Sequence, residues 1–233
     1  MNRIALPQKI SFKKGENDNQ EIVVIESFYP GYGVTIGNSL RRILLSSLEG
    51  CAVVGVKMEN VGHEFTTIPK IKEDVLDIIL NLKKIRIKSL EDFDEPIKLR
   101  LEVSGDKVKT VKASNIEKSN KVEIINKDLV IANITDSSGK LAFDIYVDKG
   151  RGYRAIDHSD KKNKIVGYVD IDSVFSPVLS VGVNIENVRV GKMTNWDRLL
   201  LDIGTDGSIS PKEAFETSVG ILIEQFQSLV VKK

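Results

Sequence analysis

Residues 38–54 read Asn38-Ser39-Leu40-Arg41-Arg42-Ile43-Leu44-Leu45-Ser46-Ser47-Leu48-Glu49-Gly50-Cys51-Ala52-Val53-Val54. At about 100° per residue the first part reads as a helix with two faces. Ile36, Leu40, Ile43, Leu44 and Ser47 share one face, an ordinary core stripe. Leu45 points nearly the opposite way, beside Arg42, Asn38 and Glu49. An apolar residue next to an arginine on the polar face fits a surface that meets another chain. The plainer reading is a lone exposed leucine, which needs no explanation.

Working outward, the spacing predicts three helices. The first runs from about Thr35 to Leu48 and the second from about Lys72 to Lys83, with Val75, Ile78, Ile79 and Leu82 on one face. The third opens on Ser210-Pro211-Lys212-Glu213, a capping box with proline at the first helical position. Behind it Phe215, Val219, Leu222, Phe226 and Leu229 recur at alternating spacings of four and three, widened by Ile221, Ile223 and Val230. That is the seam of a helix packed along another helix. The period alone leaves open which helix it meets.

Elsewhere the chain favours strands: Glu21–Ser27, Ala52–Glu59, Ile85–Leu90, Ile97–Val103, Lys107–Lys112, Leu129–Ile134, Lys140–Val147, Ile165–Ile171, Val181–Val190 and Trp196–Ile203. They are rich in valine and isoleucine, alternate in places, and are separated by turn signals such as Ser104-Gly105-Asp106. Strands in runs, not alternating with helices, predict an α+β class. With helices near both ends, the layout is a discontinuous domain, residues 1–49 with 178–233, carrying an inserted β-rich domain, residues 50–177. Insertion is tolerated where termini lie close together. The Lys/Asn-rich piece Asp157–Lys164 reads as an exposed loop.

The bulk numbers narrow the function. The 233 residues are 41% hydrophobic, enough for a real core, and the charges leave a net of +1. A whole-chain basic footprint for nucleic acid is therefore absent. The single Cys51 excludes an internal disulfide and reads as simply buried. No apolar run follows a basic start, and none approaches the ~20 residues of a membrane helix, so a cytoplasmic protein is expected.

Catalytic signatures are thin. Gly31-Tyr32-Gly33-Val34-Thr35-Ile36-Gly37 tempts as a nucleotide cradle, but its spacing is not the dinucleotide fingerprint and the P-loop lysine is missing. A structural turn is the plainer reading. His63 and His158 lie far apart, without zinc-ligand spacing. Asp170 and Asp172 share a strand face, and Asp202 and Asp206 flank a turn. Such pairs could hold magnesium, but solvated turn aspartates are far commoner. No cofactor or metal is expected. Gly150-Arg151-Gly152-Tyr153-Arg154 differs: arginine and tyrosine between glycines suit an interface, or a hairpin end with exposed charge.

Taken in order, these motifs resemble the alpha-subunit family of bacterial RNA polymerase, in its N-terminal region. The string Gly31-Tyr32-Gly33 through Gly37-Asn38-Ser39-Leu40-Arg41-Arg42-Ile43-Leu44-Leu45-Ser46-Ser47 is the most specific. Gly50-Cys51-Ala52-Val53, His63-Glu64-Phe65, Glu73-Asp74-Val75 and Ile79-Leu80-Asn81-Leu82-Lys83 follow. Gly150 to Tyr153, Phe175-Ser176-Pro177-Val178, Val188-Arg189-Val190-Gly191 and Thr205 to Ala214 complete the set.

The resemblance implies a non-catalytic, homodimeric assembly scaffold that recruits the beta and beta-prime subunits, with DNA met only through the whole complex and no membrane. It implies that the first and third helices form the dimer contact, through Ile36, Leu40, Ile43, Leu44, Phe215, Val219, Leu222, Phe226 and Leu229. Large-subunit contact falls to Arg42 and Leu45, with Arg41 beside them, and to Arg151, Tyr153, Ser176, Pro177 and Val178. Magnesium and nucleotidyl transfer belong to the large subunits. Val34 and Val183 depart from the family's usual histidine and tyrosine. The family usually continues into a small DNA-binding domain. A chain ending at Lys233 would lack its upstream-DNA recognition. The alternative is a small nucleotide-binding enzyme using the Gly31–Gly37 turn.

Overall fold

The computed structural model describes residues 4–58, 61, 65–107, 109–156 and 167–230. The chain divides into two compact units, Met1–Leu48 with Ser176–Lys233, and Glu49–Phe175. The class is α+β, with antiparallel sheets in both units and, among the described residues, three α-helices and a 3₁₀ turn at Ala113–Asn115.

The first unit is built on a four-stranded antiparallel sheet. Its strands are β1 (Lys9–Lys14), β2 (Gln20–Phe28), β13 (Val178–Val190) and β14 (Met193–Thr205), in the order β1-β2-β14-β13. Alternation along β14 buries Leu199, Leu201 and Ile203 on one face, as the two-residue period requires. Two helices complete that core: α1 (Tyr32–Ser46), through Leu40 and Leu44, and α3 (Pro211–Ser228), through Ala214 and Phe215. The Phe12 and Phe215 rings meet edge to face at 6.0 Å.

Helix α1 begins before the expected Thr35, so Gly33 and Gly37 are helical and buried, not part of a free turn. A Cβ on Gly37 would lie 2.8 Å from Leu199 Cδ1 and 3.0 Å from Val183 Cγ1. Glycine there lets the helix sit hard against the sheet, which offsets its poor helix propensity. The helix stops at Ser47, and Glu49 already starts a strand, so Glu49 does not share the helix face with Leu45.

Helix α3 starts as the capping signal predicts. Ser210 Oγ accepts the Glu213 amide at 3.2 Å, and Pro211 occupies the first turn. Its burial is lopsided. Pro211, Ala214, Phe215 and Ser218 are buried, whereas every residue from Ile223 to Ser228 is exposed.

The second unit is mostly sheet. Its six-stranded sheet runs β5 (Ile97–Ser104), β9 (Lys140–Arg151), β3 (Glu49–Met58), β4 (Ile87–Ser89) and β7 (Val122–Ile124), with β11 (Tyr168–Asp170) also pairing β3. Two small ladders accompany it, β6 (Thr110–Lys112) with β8 (Val130–Asn133), and β10 (Tyr153–Arg154) with β12 (Ser173–Val174). Helix α2 (Val75–Leu82) buries Val75, Ile78, Ile79 and Leu82 in the unit's core. It starts after the expected Lys72 because Asp74 is extended and its carboxylate accepts the Asp77 amide at 2.7 Å, a side-chain N-cap. Cys51 is only half-buried, and burial pushes its thiol up to about 11.

Strands β1, β7, β10 and β12 have no counterpart among the expected strands. β1 reads Lys-Ile-Ser-Phe-Lys-Lys, an edge strand whose lysines blur the alternation. The others are two or three residues long. The expected strand Lys107–Lys112 shrinks to Thr110–Lys112. His63, His158, the loop Asp157–Lys164 and the start of the expected Ile165–Ile171 strand lie outside the described residues.

Candidate functional site

The glycine-rich stretch before Asn38 is where a nucleotide would bind, and it is already filled. Asp197 of β14 is buried, and its Oδ2 accepts the amides of Gly31 at 2.9 Å and Gly33 at 3.1 Å. A helix N-terminus is a natural anion site because its first amides have no partners within the helix. Here the protein's own carboxylate takes that place. Gly31 has φ +86 and supplies no side-chain cap, so Asp197 acts from across the fold. A Cβ on Gly33 would stand 2.9 Å from Asp197 Cβ, which accounts for the glycine.

With its N-terminus anchored, α1 presents Arg41, Arg42 and Leu45 outward. Both arginines are exposed, and Leu45 is 37% exposed. Neither guanidinium has a hydrogen bond or ion pair among the described residues, and α1 carries no acidic residue. Ser176, far along the chain, comes to this helix: its hydroxyl donates to the Leu45 carbonyl at 3.3 Å and is 3.2 Å from the Val178 carbonyl. Pro177 and Val178 are buried in the unit's own packing. Both are thus enclosed by this chain, where the expectation set them at an outward contact.

The residues expected at a dimer contact divide in the same way. Leu40, Leu44 and Phe215 are enclosed in the chain's own core and have no surface to offer. Helical spacing gives their direction correctly but not their partner, which is the chain's own sheet. Ile36, Ile43, Val219 and Leu222 are half-buried. Phe226 and Leu229 are 61% and 74% exposed, beside Ile223 and Val230, which are exposed as well.

In the second unit, Gly150-Arg151-Gly152-Tyr153-Arg154 turns β9 into β10. Gly150 lies against the Phe175 ring, where a Cβ would be 2.9 Å away, and Gly152 has φ +64. The glycines thus serve the bend, and Arg151 and Tyr153 are left exposed. Arg154 covers the Phe175 ring at 4.8 Å and pairs with Asp148 at 2.9 Å. Arg151 reaches Glu49 at 3.3 Å.

Tyr153 Oη donates to Asp172 Oδ2 at 3.1 Å, and Lys83 Nζ reaches both Asp172 oxygens at 2.6 and 2.7 Å. The Lys83 ammonium holds the Asp172 carboxyl below its ordinary value, and the bond to Asp172 raises the Tyr153 hydroxyl. Asp172 lies outside β11 and serves this cluster, so it does not pair with Asp170 on a strand face. Asp202, the other carboxylate weighed for magnesium, accepts two bonds from Gln20 Nε2 at 2.7 and 2.9 Å.

Sequence reading misses Asp197 and Glu49 as organising residues, and gives Lys83 and Asp172 no shared role. The partners of Asp197 lie 166 and 164 residues away, and the Lys83–Asp172 pair spans 89. Only the run of glycines before Asn38 hints that something must approach closely there.

Comparison with known proteins agrees with the resemblance. The family described as RNA polymerase Rpb3/RpoA insert domain matches residues 56–176. The DNA-directed RNA polymerase subunit alpha of Carboxydothermus hydrogenoformans is 46% identical, with 92% of this chain and 67% of the relative covered. That of Syntrophomonas wolfei is 48% identical over 91% of this chain and 66% of its own length. That of Desulforamulus reducens is 42% identical over 99% of this chain and 71% of its own length. The chain thus spans about two thirds of the length of the relatives it matches. On identity and coverage of this order, joined to the motifs above, the chain belongs to the family of bacterial DNA-directed RNA polymerase alpha subunits.

Proposed function

We propose that this chain is a non-catalytic assembly scaffold of RNA polymerase. Two copies pair, and the dimer recruits the beta and beta-prime subunits in the cytoplasm. The observation that carries this reading is the outer face of α1, where Arg42 stands without a charge partner among the described residues, beside exposed Leu45 on a helix capped from within. Arginine is enriched at interface hot spots, and the exposed leucine beside it adds apolar area to bury.

The first unit is the dimerisation domain. Its contact with the second copy is the exposed half of α3, Phe226 and Leu229 with Ile223 and Val230, flanked by Ile36, Ile43, Val219 and Leu222. Arg41, Ser176 and the Arg151–Tyr153 bend add to large-subunit contact. Pro177 and Val178 support the Ser176 segment from within. Nucleotidyl transfer is left to the partners, and this chain supplies position alone. Its contact with DNA runs through the complex.

The nucleotide-enzyme alternative finds no support, because Asp197 occupies the only cradle offered for it. Sedimentation with and without co-expressed beta subunit tests the proposal. A dimer near twice 25.9 kDa that gains a large subunit is the expected result. A stable monomer indifferent to beta would overturn it.

A further inference from the structure

Tyr153 is a solvent-facing side chain held by its far end. It is 62% exposed, yet its hydroxyl donates to Asp172 Oδ2 at 3.1 Å. Asp172 is in turn gripped through both oxygens by Lys83 Nζ, at 2.6 and 2.7 Å. The three residues come from different places in the second unit: the start of β10, the link between β11 and β12, and the C-terminal end of α2. A free tyrosine on a surface hops between staggered rotamers. Here the backbone fixes one end of the side chain and the Asp172 carboxylate the other.

The supports behind that carboxylate are stiff. Lys83 is the C-cap of α2, and its amide donates to the Ile79 carbonyl at 3.0 Å, on a helix that buries Val75, Ile78, Ile79 and Leu82. Asp172 lies between two buried residues, Ile171 and Ser173. The Ile171 amide donates to the Val54 carbonyl at 2.9 Å, and Ser173 Oγ is 2.7 Å from the Val53 carbonyl and 2.9 Å from that of Ile171. In the β10–β12 ladder Tyr153 stands opposite Val174, which is 52% exposed. Residues opposite each other in an antiparallel pair share a face, so the ring and the valine make one apolar step on the surface. The Phe175 amide donates to the Gly152 carbonyl at 2.8 Å and closes the ladder.

The ion pair is a modest source of stability. The Lys83 and Asp172 side chains are 28% and 34% exposed, and pairs open to water contribute little. Its larger effect is on the freedom of Tyr153. Ordering a loose side chain at an interface works against binding, and fixing it beforehand removes that cost. Tyrosine is also among the residues enriched at binding hot spots. Arg151 nearby pairs with Glu49 at 3.3 Å through side chains 65% and 46% exposed, which suits a solvated rim. We propose that Asp172, clamped by Lys83, is a positioning residue that holds Tyr153 beside Val174 as a preformed anchor for a large polymerase subunit. This rests on the reading that the Gly150–Arg154 bend meets such a subunit.

The test is competition of full-chain variants with tagged wild type for a limiting amount of beta and beta-prime, with circular dichroism checking the fold. Tyr153→Ala should weaken incorporation about tenfold. Tyr153→Phe keeps the ring and loses the tether, and should weaken it about threefold, as should Asp172→Ala. In the Tyr153→Ala background Asp172→Ala should add nothing, because there is no ring left to position. A merely structural Asp172 would weaken binding in both backgrounds. If Asp172→Ala fails to fold, Tyr153→Phe alone decides, since its side chain is exposed. Wild-type competition by Tyr153→Ala would overturn the reading of the bend itself. Loss with Tyr153→Ala but not with Tyr153→Phe, or additive losses in the double variant, would leave the contact standing and overturn the tether.

Discussion

The Gly33 amide donates to the Asp197 carboxylate at 3.1 Å, joining the first turn of α1 to a strand encoded 164 residues later. The bond satisfies an orphan amide and places negative charge at the positive end of the helix dipole. Asp197→Ala removes both effects and should cost about 1–2 kcal/mol of stability in the first unit. Urea unfolding measures it. A midpoint equal to wild type would show that the cap contributes nothing.

The same geometry predicts a gain of binding. With the carboxylate gone, the Gly31 and Gly33 amides form an empty anion nest. Sulfate should stabilise Asp197→Ala more than wild type in thermal melts. An identical salt response in the two proteins would argue against the nest.

Arg42→Ala should leave the fold and the dimer intact, because the side chain has no partner among the described residues. Binding of beta should weaken by about 2 kcal/mol or more, as for an interface hot spot. Normal recovery of beta by the variant in a pull-down would remove Arg42 from that role.

Phe226→Glu should convert dimer to monomer without unfolding it, since Phe226 is 61% exposed in the single chain. Leu222→Glu should also break the dimer, but with some loss of stability, because Leu222 is half-buried against the chain's own core. Light scattering alongside circular dichroism separates the two outcomes. A dimer unchanged by both substitutions would exclude the helix seam.

Acid should loosen the Lys83–Asp172–Tyr153 cluster. The pKa of Asp172 is lowered in the folded state, chiefly by Lys83, so the native state binds fewer protons there than the unfolded chain. Its contribution is complete above the ordinary value of 3.8 and is lost as pH falls through the lower folded value. The stability difference between wild type and Asp172→Asn should be flat at neutral pH and shrink below about pH 4. A difference constant down to pH 2 would place the effect elsewhere.

Part of this architecture is legible in the amino-acid sequence alone. The two faces of α1 follow from helical period, and the start of α3 from Ser210 and Pro211. Leu45 stands out because it breaks the polar face that carries Arg42. Period, however, gives direction without naming a neighbour, so Leu40, Leu44 and Phe215 suit a second copy equally well until their own sheet is seen to bury them. Pro177 and Val178 are buried for a related reason the sequence does not give: a motif marks a segment but not which of its side chains turn inward. Asp197 and the Lys83–Asp172 pair are invisible because pairing across a fold leaves no local pattern.

The break of the first unit into Met1–Leu48 and Ser176–Lys233 has a consequence for synthesis. Strand β2 pairs with β14, so Val23 must find Leu201 across the whole intervening unit. On the ribosome, β1, β2 and α1 emerge first; β1 and β2 can pair with each other, but the other half of their sheet is not yet made. The Glu49–Phe175 unit can close next, since its contacts lie within itself. Only when β13, β14 and α3 emerge can the earliest residues find their place. The part of this unit that is made first is therefore completed last, and the β2 edge that β14 will cover stays open in the interval.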